Sequence, residues 1–120
     1  MLTNFETFIS NYTEPVRTNA FLTRELILGM YKEVEEVVDE SARVVGFMLG
    51  AGYNNTLCTM IPSKKTLKIG FYKGSLLNDP QLMLRGTGKV HRYLQIDDFN
   101  IQQDYLRFLL QEAFKMWKKC

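Results

Sequence analysis

The residues of this chain best suited to chemistry crowd into one short stretch. Gly86-Thr87-Gly88-Lys89 is flanked by Arg85 on one side and by His91 and Arg92 on the other, with no acid among them. Two glycines let a backbone turn tightly and bare its N–H groups, and guanidinium forks match the oxygens of phosphate or carboxylate. The stretch therefore reads as a site for a small anion, made by Arg85, Gly86, Gly88, Lys89, His91 and Arg92. It is no Walker loop. That motif needs glycine where Met83 stands, Ser or Thr where Val90 stands, and a following helix to offer its N-terminal N–H groups. The residues after Lys89 alternate like a strand instead. The plainer reading is that Gly86 and Gly88 only shape the turn into that strand. Arg92 sharpens the choice. Alternation puts it on one face with Val90, Leu94 and Ile96, and a buried guanidinium needs a carboxylate partner or a ligand. The partner is to be sought among the acids of 33–40.

Other chemistry is thin. A single histidine excludes paired-histidine metal centres and most zinc sites. Cys58 stands far from His91 and reads as a small apolar strand residue; where it does not bind, His91 reads as a solvent-facing strand residue. With no nucleophile–base pair, metal triad or cofactor loop in view, a binding domain is expected rather than an enzyme. Charge is segregated. Five acids and no base occupy 33–40, whereas seven bases between 64 and 92 face Asp79 alone. Either patch can steer a partner of opposite sign. Glu36, Asp39 and Glu40 of the acidic run offer the oxygens that hard cations prefer, although a solvated helix end and loop would look the same. The net charge of +2 does not mark a nucleic-acid binder. Tyr72 and Tyr93 beside Lys73 and Arg92 are only a faint sign of aromatic–basic interleaving, so a nucleic-acid partner is argued against.

These residues must be positioned by the elements around them. Thr3 and Glu6 have the spacing of a capping box, and Phe5, Phe8, Ile9 and Tyr12 recur with helical period, which predicts a helix over 4–11. Thr13, Glu14 and Pro15 open a second helix over 14–32, Thr13 as its cap. From residue 37 the period changes. Val37-Val38 and the apolar run 44–49 are strand-like, 50–55 is a turn, and 56–61, 67–73 and 89–96 follow as strands. The stretch 74–87 is a loop, with Asp79-Pro80 opening one helical turn at 81–84. Asn100 and Gln103 cap a last helix whose buried stripe runs from Tyr105 to Trp117. The order is α-α-β-β-β-β-α. It predicts an α+β fold, an antiparallel sheet of four to five strands with the N-terminal helices and the C-terminal helix on one face.

One hundred and twenty residues suit one domain, 1–120, large enough to fold without disulfide or metal. Cys58 and Cys120 make no disulfide framework, no apolar run spans a membrane, and the N-terminus lacks a signal-peptide pattern. A cytoplasmic setting without a membrane partner is expected. Pairing through a strand edge leaves a homodimer open.

Tyr12-Thr13-Glu14-Pro15-Val16-Arg17, then Leu22-Thr23-Arg24-Glu25-Leu26-Ile27-Leu28, resembles the opening helix of the YdhG-like domain-of-unknown-function family. Ile69-Gly70-Phe71-Tyr72-Lys73-Gly74, Asp79-Pro80 and Gly86-Thr87-Gly88-Lys89 with Arg92 and Ile96 resemble its strand and turn pattern. The final helix is similar too, so the resemblance covers about residues 5 to 118. It implies an α+β fold similar to frataxin's arrangement and marks Gly86, Gly88, Lys89 and Arg92 as positions that matter to the family. It implies no reaction. It also makes an iron-binding chaperone thinkable, with iron held by Glu36, Asp39 and Glu40, against which the net positive charge counts. Where the family has a Tyr-Gly-x-Pro stretch, this chain has Val38-Asp39-Glu40-Ser41-Ala42-Arg43-Val44.

Overall fold

In the computed structural model, which describes residues 3–119, the first helix starts where its polar residues direct. Thr3 Oγ1 accepts the Glu6 N–H and a Glu6 carboxylate oxygen accepts the Thr3 N–H, each at 3.1 Å. This capping box opens α1 (Asn4–Ile9), which buries Phe5, Phe8 and Ile9. The helix stops two residues short of its apolar pattern, because the chain folds over as the Tyr12 N–H reaches the Ile9 carbonyl. α2 (Glu14–Met30) carries Pro15 in its first turn, where the missing N–H costs little. Thr13 precedes it but does not cap it with its side chain. Its hydroxyl donates instead to the Lys64 carbonyl at 3.2 Å, pinning the helix start to a strand turn. α2 ends before residue 32 because Tyr31 leaves the helix, in extended backbone, and stacks on Phe114 at 4.2 Å.

The sheet is an antiparallel meander of β1 (Glu35–Asp39), β2 (Val44–Met48), β3 (Thr56–Pro62), β4 (Leu67–Phe71) and β5 (Arg92–Ile96), ordered in space as in sequence. With α3 (Phe99–Lys119) behind it, the expected α+β architecture is present. Period-two alternation sends Val45, Phe47, Met60, Ile69, Leu94 and Ile96 to the inner face, where Leu106, Leu109 and Leu110 of α3 cover them. Each such side chain contributes about 1.5–3 kcal/mol by leaving water. The other face is open. There the register aligns Gly46, Thr59, Gly70 and Tyr93 in one row across four strands.

Three further local expectations fail for identifiable reasons. β5 begins at Arg92 rather than 89, since residues 88–90 bend and the Val90 carbonyl is taken by the Ser75 N–H. No helical turn forms at 81–84. The Asp79 carboxylate accepts the N–H groups of Met83 and Leu84 at 3.1 and 2.9 Å, and Leu82 takes a left-handed φ of +55°. α3 starts before Asn100: Asp98 accepts the Asn100 N–H at 3.0 Å, and Gln102, not Gln103, bonds back to the N–H groups of Asp97 and Asp98. A carboxylate is the better partner for the positive end of a helix, and the burial of Phe99 fixes that start.

Candidate functional site

The link from 72 to 91 doubles back along the sheet it leaves. The Arg85 N–H donates to the Tyr93 carbonyl at 2.8 Å and the Arg85 carbonyl accepts the Tyr93 N–H at 2.9 Å, a one-residue rung outside β5. Gly86 then turns at φ +122°, a conformation only glycine adopts without strain. Arg92, half-buried at the start of β5, folds its guanidinium back onto this turn. Nη1 donates to the Gly88 carbonyl and, at 2.7 Å, to the His91 carbonyl. The carboxylate partner expected for Arg92 among 33–40 is therefore not used. Glu36, the acid of that run that faces the helices, is held by Arg24 of α2, which bonds both its oxygens and lies 5.0 Å over the Phe5 ring.

The turn closes one side of a cleft of about 310 Å³ on the open face of the sheet. Thr59, Ile61 and Gly70 make its floor, Tyr53, Tyr72 and Tyr93 its aromatic walls, and Gly86, Gly88, His91 and Arg92 its rim. No Asp or Glu lines it among the described residues. The end wall is braced. Tyr53 and Tyr72 meet edge-to-face at 4.7 Å, and His91 lies 5.8 and 5.6 Å from them. His91 Nδ1 lies 2.8 Å from the Tyr72 carbonyl, which can only accept, so Nδ1 carries a proton. In the neutral ring Nε2 then accepts from the Tyr53 hydroxyl, 2.6 Å away. Tyr72 in turn donates to Asn54 at 3.0 Å. Beside the other wall, the Lys68 ammonium lies 4.6 Å from the Tyr93 ring.

Of the six residues proposed for an anion, Gly86, Gly88, His91 and Arg92 come together at the cleft, whereas Arg85 and Lys89 stay exposed and outside its lining. Arg85 serves through its backbone. His91 is exposed but precedes the strand, and its ring is engaged on both nitrogens. The aromatic walls go beyond the residue types that marked the turn. In the sequence Tyr72 and Tyr93 stand out only as neighbours of bases, and Tyr53 carries no local sign. Glu36, Asp39 and Glu40 are not gathered. Asp39 accepts the Ala42 N–H and the Ser41 hydroxyl, bonds that hold its carboxyl below the usual range, and Glu40 is exposed. Among the described residues no three His, Cys, Asp or Glu group as metal ligands. Cys58 is fully buried, and burial pushes its thiol up, away from the reactive thiolate; Cys120 lies outside the described residues. Among the described residues no helix is long and apolar enough to cross a membrane. No family model, no curated protein and no solved structure matches this chain.

Proposed function

We propose that this domain binds a small organic anion, without turning it over, in the cleft between the 86–92 turn and the open face of the sheet. The observation that carries the reading is the convergence of Gly86, Gly88, His91 and Arg92 on one concavity lined by no Asp or Glu among the described residues. A volume of about 310 Å³ lies at the low end of ligand pockets. The bonds from Arg92 Nη1 to two carbonyls orient the guanidinium, and among the described residues Nε and Nη2 have no partner. Binding without turnover is supported by the engagement of both His91 nitrogens and the burial of Cys58. Iron on Glu36, Asp39 and Glu40 draws no comparable support, since Arg24 holds Glu36 and the β1–β2 turn holds Asp39.

The test is an amide-resolved titration with acetate and with inorganic phosphate at low ionic strength. Saturable shifts at Gly86, Gly88 and His91 are expected, weakened about tenfold in Arg92→Gln. Shifts spread over Lys64, Lys65 and the Lys118 end of α3 instead, or unchanged in a folded Arg92→Gln variant, would overturn the reading.

A further inference from the structure

Resting on that reading, we infer that the ligand is an aromatic carboxylate: a flat body of one ring or two fused rings, lying over Gly70 with its carboxylate on Arg92. The floor argues for flatness. Gly70 sits between Thr59 and Tyr93 in the cross-strand row, and a methyl there would come within 3.3 Å of Ile61 Cδ1. The absence of a side chain at this one position leaves a shallow trough, as glycine does where a ligand approaches a strand. The walls argue for a ring. Tyr53, Tyr72 and Tyr93 all face the trough, and ring pairs gain attraction beyond the apolar area they bury.

The charge argues for a carboxylate over a phosphate. One guanidinium lines the cleft, and its planar fork matches the two oxygens of a carboxylate. A phosphate dianion calls for more cations or a helix N-terminus. Arg85 and Lys89 lie outside the lining, and the turn at 86–92 leads into a strand. The Lys68 ammonium beside Tyr93 adds positive potential at the wall without entering the lining. The volume excludes dinucleotide-sized ligands.

Calorimetry at fixed pH and salt with benzoate, 2-naphthoate, cyclohexanecarboxylate, acetate and phenyl phosphate tests this. Benzoate is expected to bind about tenfold tighter than cyclohexanecarboxylate, which has the same charge and similar bulk without a π face. 2-Naphthoate should bind at least as tightly as benzoate, and phenyl phosphate more weakly. Tyr93→Leu should erase the preference for benzoate over cyclohexanecarboxylate while leaving acetate binding in place. Tyr53→Leu, in an exposed turn that the core does not need, should reduce that preference and guards against a Tyr93→Leu variant that fails to fold. If acetate, cyclohexanecarboxylate and benzoate bind alike, the anion site stands and the aromatic assignment falls. If phenyl phosphate binds tighter than benzoate, the carboxylate assignment falls. If none of the five binds, both the inference and the function on which it rests are wrong.

Discussion

Thr23 is fully buried on α2, and among the described residues its hydroxyl has no hydrogen-bond partner. Leaving a hydroxyl buried without a partner costs about 1–3 kcal/mol, and valine has the same β-branched shape without that group. Thr23→Val is expected to raise stability by about 1 kcal/mol, which thermal unfolding would read as a rise of about 4 °C; a fall would mean the hydroxyl finds a partner in solution. Gly74 presents the opposite case. A methyl group there would lie 2.5 Å from Arg92 Cβ, 2.7 Å from its backbone nitrogen and 2.9 Å from its Cα, and backbone cannot yield as a flexible side chain can. Gly74→Ala should cost about 2–3 kcal/mol in urea unfolding and abolish amide-exchange protection of Tyr93, the residue that Arg85 pairs. The difference between what sequence reveals and what it conceals is visible at this scale. Thr3 and Glu6 are three residues apart, so their mutual capping is readable from types and spacing. His91 finds Tyr72 19 residues away and Tyr53 38 away, and nothing near any of the three marks the meeting. Arg92 turns Nη1 onto backbone carbonyls, which every residue carries and no pattern of side chains announces.

A loop that carries a binding rim needs anchors, and besides its rung to Tyr93 the 72–91 link has one on α3. The Tyr105 hydroxyl donates to the Asp79 carboxylate and accepts the Gln81 N–H at 3.1 Å. Burial alone would raise the Asp79 carboxyl, but the bonds from Tyr105 and from the Leu84 and Met83 N–H groups outweigh it and hold the group below its usual range. Burial, then the bond to Asp79, pushes the Tyr105 phenol up. The two shifts bound stability from both sides. Asp79 binds its proton more weakly folded than unfolded, so its contribution is full above the unfolded value of about 3.9 and is lost as pH falls through the lower folded one. Tyr105 holds its proton more tightly folded, so its contribution is full below about 10 and is lost as pH rises through the higher folded value. Hydrogen exchange at Met83 and Leu84 should therefore accelerate, beyond the intrinsic pH trend, below about pH 4 and before global unfolding. Asp79→Asn should remove that acid step; an unchanged acid limb would place the anchor elsewhere. Tyr105→Phe should cost about 1 kcal/mol in urea unfolding. Element boundaries were less legible than element types for a related reason. Alternation continues back to Lys89, but Val90 is exposed, and only the folded link decides where pairing stops. Asp98 and Asn100 are both good caps, and the burial of Phe99 chooses between them.

A five-strand meander has two edges, and this molecule treats them differently. The outer edge of β5 is covered: Arg85 pairs with Tyr93, and the Gln102 carboxamide donates to the Gln95 carbonyl at 2.7 Å while accepting the N–H groups of Asp97 and Asp98. β1 is the last strand on the other side, and among the described residues no strand pairs beyond it. Val37, 44% exposed at its centre, would invite a second copy by hydrophobicity alone. Antiparallel pairing of two β1 strands about Val37, however, sets Glu35 of each against Asp39 of the other, and opposed like charges destabilise a ladder. Arg24 neutralises Glu36 but neither of these two acids. Acidic edge residues therefore do here what charged edges do generally, which is to stop sheets from growing. The chain is expected to run as a monomer in size-exclusion chromatography with light scattering at neutral pH and low salt, and to begin to associate in about 1 M salt, where screening shortens to about 3 Å. Glu35→Thr with Asp39→Asn should dimerise at low salt, because asparagine keeps an acceptor for the Ala42 N–H that Asp39 now binds and so preserves the β1–β2 turn while removing its charge. A wild-type chain that dimerises at low salt would refute the argument outright. A double variant that stays monomeric at every salt concentration would show that twist or the neighbouring turn, and not charge, closes this edge.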